Sequence, residues 1–159
     1  MADSIRQQVI NALDTRLKTI TIANGYLTDL GTNVAAWSTT PFDPQNETFK
    51  LEYLDQDVTT SAGGDIPVGV HSHKMKVTLR LIVKDNTPID LVRKYNADIM
   101  KAIGVEAKAN GSRWSGLAIR TDPEGDRTQI DRAANRFGGQ EISFYITFRT
   151  LEWDPYSAV

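Results

Sequence analysis

The chain contains no cysteine, so disulfides and thiolate metal centres are excluded. It has only two histidines, His71 and His73, and any zinc site would have to be built from these and carboxylates. No apolar run approaches the roughly 20 residues that a membrane-spanning helix needs. The first residues, MADSIRQQ, lack the basic start and apolar core of a signal peptide, so synthesis and retention in a cytoplasm are expected. Positive charge is not in excess. Eighteen lysines and arginines face twenty aspartates and glutamates, a net charge of −2, which argues against a general affinity for nucleic acid. What remains is ordinary for a globular protein: 159 residues, 40% hydrophobic and 24% charged, the size of one domain over residues 1–159.

Periodicity places the elements. Ile5, Val9, Leu13, Leu17 and Ile20 form one stripe, so Ser4 to Ile22 reads as a helix, with Ser4 as cap and Asn24-Gly25 as terminator. Gly31 to Ser38 reads as a turn and short strand, closed by Pro41 to Pro44. Phe49 to Leu54 alternates as a strand. Lys74 to Lys84 is the clearest strand: Met75, Val77, Leu79, Leu81 and Val83 share one face, and Lys74, Lys76, Thr78, Arg80 and Lys84 the other.

Thr87 as cap, Pro88 in the first turn and the stripe Ile89, Val92, Ile99, Ile103 predict a second helix ending at Gly104. Asn110-Gly111 marks a turn. Leu117 to Thr121 reads as a short strand ended by Asp122 to Gly125. Residues 126–139 carry no firm signal beyond a possible short strand from Thr128 to Asp131. Gln140 to Leu151 alternates as the last strand, and the tail, residues 152–159, is expected to be loosely held. The order predicts an α+β domain, a mixed or antiparallel sheet with two helices on one face.

Between the strands ending at Leu54 and starting at Lys74 lies DQDVTTSAGGDIPVGVHSHK. Its composition predicts a long structureless arm over residues 55–73, able to reach beyond its own domain. The arm carries Asp55, Asp57, Gly63, Gly64, Asp65, Gly69, His71 and His73, and no basic residue before Lys74.

Each chemical motif has a plainer explanation. His71 and His73 share a strand face, but no spacing supplies a third metal ligand. DPEGD from Asp122 resembles a calcium loop, yet its twelfth position is Ala133 rather than glutamate. The arm glycines precede a strand, whereas a phosphate-binding loop precedes a helix. No serine has a specified histidine and acid. Three tryptophans, Trp37, Trp114 and Trp153, read as core or interface residues. The acidic bias of the arm suits a solvated loop or a wall that repels phosphate.

The order of elements resembles the tail terminator, or tail completion, proteins of tailed bacteriophages. The similarity is carried by SIRQQVINALDTRLKTI, NGYLTDLGTNV, FKLEYLDQD, MKVTLRLIV, PIDLVRKYNADIMKAIG and EISFYITFRT, with Tyr26-Leu27-Thr28 after the first helix and Asp98-Ile99 in the second. It covers residues 4–150. The resemblance implies a non-enzymatic subunit without cofactor that assembles, usually as a hexameric ring, on the head-proximal end of the tail tube. Such a ring stops tube polymerisation, presents a surface to the head connector and passes DNA through its centre. The implied partners are further copies of the chain, the tube protein and a connector or neck protein, in the virion.

A ring subunit needs two different complementary patches. Lys76, Arg80 and Lys84 against Glu141 and Arg149 are candidates for one, and the arm for contact with a neighbour or the tube. Two readings compete: a head–tail joining or head-closure protein, and a small enzyme with a glycine-rich lid.

Overall fold

The computed structural model describes residues 3–37, 40–108, 110–130 and 137–159. The element order is α1 (Ile5–Lys18), β1 (Val34–Ala36), β2 (Phe49–Ser61), β3 (Val70–Lys84), α2 (Pro88–Ala107), a short helical turn α3 (Arg113–Gly116), β4 (Ala118–Ile130), β5 (Phe137–Leu151) and β6 (Asp154–Ala158). The strands form one mixed sheet in the order β1-β2-β3-β5-β4, with β6 added to β5. β1 runs parallel to β2 and every other pair is antiparallel. The chain is therefore an α+β protein.

The apolar stripes of α1 and α2 and the inward side chains of β3 and β5 fill one core. Val9, Leu13, Leu17, Ile99, Met75, Val77, Leu79 and Ile146 are fully buried there. Burying side chains of this size stabilises by about 1.5–3 kcal/mol each. The opposite face of β3 and β5 keeps the polar half of the alternation.

Ser4 caps α1 by accepting a hydrogen bond from the Gln7 amide at 3.2 Å. The helix stops at Lys18, earlier than its stripe predicts, and Gly25 caps a separate 3-10 turn, Ile22–Asn24, at φ 82°. The reason lies in Gly31. Its amide donates to the Ile20 carbonyl at 2.8 Å, and a Cβ there would collide with the Lys18 carbonyl. The returning chain takes the place that another helical turn would occupy.

The structure corrects the arm. Residues 55–61 continue β2, and β3 begins at Val70, so Thr59 pairs with Lys74 and Ser61 with Ser72. β5 supports the far side of β3 down to Val70, paired with Leu151. The segment is a long hairpin with an eight-residue tip, 62–69, rather than a free arm. Val58, Thr59 and Thr60 are β-branched residues suited to a pleated strand, and three paired strands offset the entropy of ordering them. A bulge between Gln56 and Val58, with Asp57 at φ 24°, breaks the alternation that would have betrayed the strand.

Four smaller expectations also change. α2 runs through Gly104 to Ala107, because the last turn closes by Lys108 donating to the Gly104 carbonyl. Thr87 makes no side-chain cap; Asp85 instead accepts from the Thr87 amide and hydroxyl, each at 3.1 Å. The strand from Ala118 passes through Pro123 to Ile130, tolerated because β4 is an edge strand with a second bulge at Pro123/Gly125. The tail is ordered as β6, Thr150 pairing with Ala158 and Leu151 with Asp154. Of the weak segment after Asp126, residues 131–136 lie outside the described residues, as does Ser38 at the end of the predicted first strand.

Candidate functional site

Two surfaces gather the residues singled out from the sequence. The first is the hairpin end of the sheet. Gly63, Gly64 and Gly69 have φ of 79°, 62° and 80°, the left-handed region that side chains disfavour. No atom lies within 4 Å of a Cβ built on them, so backbone shape alone explains the glycines. Asp65 sits exposed at the tip. Asp55 does not: it accepts from Arg6 on α1 at 2.7 Å, and this ion pair ties β2 to the first helix. Asp55 is thus a structural acid, and of the predicted acidic residues only Asp57 and Asp65 remain exposed.

His73 holds three strands together. Its Nδ1 lies 3.0 Å from the Thr60 hydroxyl of β2 and its Nε2 2.9 Å from the Thr150 hydroxyl of β5. The ring stacks on Phe148 at 5.0 Å. Both nitrogens are engaged within the sheet, which leaves none for a metal. Burial, and then the neighbouring His71, push the His73 pKa below its ordinary value. His71 packs edge-on against Trp153 at 5.2 Å. Among the described residues no group of three His, Asp or Glu converges on a metal-sized site.

The second surface is the polar face of the sheet. Arg80 and Glu141 are directly opposite on β3 and β5 and pair at 3.1 Å. Arg80 also lies over the Trp37 ring at 4.3 Å. Lys76 pairs with Glu124 of β4 at 2.8 Å, and Tyr145 donates to the same carboxylate at 3.0 Å. Their effects agree: the Lys76 hydrogen bond holds Glu124 below its usual range, while the Glu124 hydrogen bond raises Lys76 and Tyr145. Lys84 is drawn to the end of the sheet, donating to the Pro44 carbonyl. Arg149 shares this face, and its Nε is buried without a hydrogen-bond partner. The structure thus brings Lys76, Arg80, Glu141 and Arg149 onto one face and sets Lys84 at its margin.

Two buried acids were not legible as such. Asp98 accepts from the Leu27 amide at 3.0 Å and the Thr28 hydroxyl at 2.7 Å. Glu106 accepts from Arg16 at 2.6 Å and from the Trp114 amide at 2.6 Å. The second network holds the α3 turn, where Arg113, Trp114 and Ser115 are left-handed at φ 47°, 54° and 63°. Trp114 is fully buried, its indole donating to Thr121 at 2.8 Å. Both acids sit on the buried side of α2, and a helical-wheel placement of the two carboxylates on the apolar stripe is the signal that finds them. Both are structural.

No family model matches the chain, and no curated protein does. A solved structure does. The fold is similar to that of a chain in the virion of a native gene transfer agent particle. The TM-score is 0.61 at 16% identity, over 89% of this chain and 97% of that one. At that identity the likeness is one of fold, and it takes in almost the whole of the other chain.

Proposed function

We propose that this chain is a structural virion subunit that forms a ring on the head-proximal end of a phage tail tube. The ring stops tube polymerisation, offers a joining surface to the head and leaves a central channel for DNA. The observation that carries this reading is the fold match to a gene transfer agent virion chain over 97% of that chain. The resemblance of the sequence to tail terminators supports the tail end over other places in a virion. The subunit acts without cofactor or catalysis, through surfaces alone.

The hairpin takes the role first given to a free arm. A strand pair backed by β5 is a stiff projection, so it meets its partner in a preformed shape and loses little entropy on docking. The paired charges of the polar sheet face are a contact surface for neighbouring copies; their mutual pairing fixes each side chain in place before contact. Asp57 and Asp65 remain available to face DNA.

Replacing residues 62–69 by Asn-Gly keeps the strands paired and removes the tip. The shortened chain is expected to fold with unchanged circular dichroism and to lose capping of purified tubes. Unaltered capping would remove the hairpin from the mechanism. Incubation of the intact chain with isolated tails and isolated heads separates the tail-terminator reading, which predicts binding to tails, from a head-closure role, which predicts heads.

A further inference from the structure

The polar sheet face carries two cations that the chain itself leaves without an acid. Lys76, Arg80 and Arg120 each pair with a carboxylate on that face, at 2.8, 3.1 and 2.7 Å. Among the described residues Arg149 makes no hydrogen bond or ion pair, although it is half-buried and its Nε is shut off from water. A guanidinium laid on a sheet in this way has lost part of its hydration without gaining an acceptor. Among the described residues Lys74 likewise reaches no carboxylate. It is exposed, with its ammonium over the Tyr145 ring at 4.3 Å.

The β3–β5 ladder sets these two cations side by side. Ser72 lies opposite Arg149 and Lys74 opposite Thr147, so Lys74 and Arg149 are diagonal neighbours, about 7–8 Å apart at the backbone, with two hydroxyls at the other corners. A carboxylate set between them meets the fork of a guanidinium, an ammonium and two hydroxyl donors. Leu151, exposed, follows Arg149 on the same face. The matching acid is in the chain as well. Among the described residues only Asp57, Asp65 and Glu152 have carboxylates without a hydrogen bond or ion pair. Asp57 already lies within electrostatic reach of Lys76 on its own sheet. Glu152 sits in the β5–β6 turn, fixed to the hairpin by its amide, which donates to the Gly69 carbonyl at 2.8 Å. Asp65 stands exposed on the tip, beyond the last β3–β5 pair, Val70 with Leu151, and Val68 beside it is fully exposed. The tip is held in shape by the Ile66 amide donating to Gly63 and the Val70 amide donating to Pro67, each at 3.2 Å.

We propose that Asp65 of one copy docks between Lys74 and Arg149 of the next copy, with Val68 against Leu151, as a head-to-tail contact of the ring. A heterologous contact needs two unlike patches that fit. Here a tip with one acid and one apolar residue meets a face with unpaired cations and one apolar residue, and opposite charge sets the register. A nucleic-acid backbone is the poorer occupant, because Asp122 and Glu124 stand next on the same face and oppose a polyanion. The contact takes Asp65 from the channel wall and leaves Asp57 there.

The contact rests on the ring reading, and charge reversal tests the two apart. Asp65→Arg and Arg149→Glu break no hydrogen bond or ion pair among the described residues, so each is expected to fold with unchanged circular dichroism. Each alone is expected to weaken self-association by about tenfold or more, read by mass photometry alone and on tubes that lack the chain. The double variant, which carries the pair with its signs exchanged, is expected to recover it, a rescue that a merely structural role does not give. Lys74→Glu, at an exposed position, replaces Arg149→Glu if that variant unfolds. If the wild type forms rings and the single variants form them equally well, the contact is wrong and the ring stands. A double variant as weak as the singles also overturns the contact. So does DNA that the wild type retards in a gel and Arg149→Glu does not, with ring assembly unchanged, which assigns the cations to phosphate. A wild type that stays monomeric alone and on tubes overturns both.

Discussion

Asp98 receives the Thr28 hydroxyl at 2.7 Å, and through it α2 grips the turn that follows α1. The carboxylate is almost fully buried and also accepts the Leu27 amide. Removing it leaves two donors without partners in a dry site. Asp98→Ala is therefore expected to lower unfolding stability by about 3 kcal/mol in urea titration, hydrogen bonds to a buried charge being worth about 1.5–3 kcal/mol. Loss below 0.5 kcal/mol would remove this staple from the account.

Arg16 and Glu106 form the second staple, with Glu106 the more deeply buried of the two. Glu106→Ala strands a partly buried guanidinium and the Trp114 amide together. The expected cost is about 3–5 kcal/mol, as for other broken buried pairs. Because Trp114 is buried against Phe144, the change is also expected to shift tryptophan fluorescence to the red.

The α3 turn holds three non-glycine residues in left-handed conformation, each at a cost of about 1–2 kcal/mol. Ser115 is exposed. Ser115→Gly is expected to raise stability by about 1 kcal/mol once the greater entropy of unfolded glycine is deducted. A destabilised variant would mean that the serine hydroxyl outweighs the strain.

His73 sets a pH dependence. Its pKa in the folded chain lies below the ordinary 6.5, so the unfolded state binds its proton more readily. The contribution is whole above 6.5 and is lost as pH falls below that value, levelling off beneath the folded pKa. Melting temperature at pH 8 minus that at pH 5 is expected to shrink in His73→Gln. An unchanged difference would show that other groups carry the acid sensitivity.

The strands and helices that the sequence made legible are those with uninterrupted periods. Met75 to Val83 and Ile142 to Phe148 kept their faces, and Ile5, Val9, Leu13 and Leu17 reached the core as their spacing required. The elements that escaped have a local break with a remote cause. The bulge at Asp57 and the glycines of the tip disguised a hairpin that β5 holds from the other side. Pro123 disguised an edge strand. Thr28 and Asp98 were singled out by resemblance alone, and only the tertiary structure explains why they belong together.

The central claim is the ring on the tail. Solution mass with negative-stain imaging of the purified chain, alone and mixed with tubes that lack it, tests it most directly. The account predicts a closed ring with a central hole, seated on one end of the tube. A chain that stays monomeric at every concentration and leaves tube ends bare would contradict it.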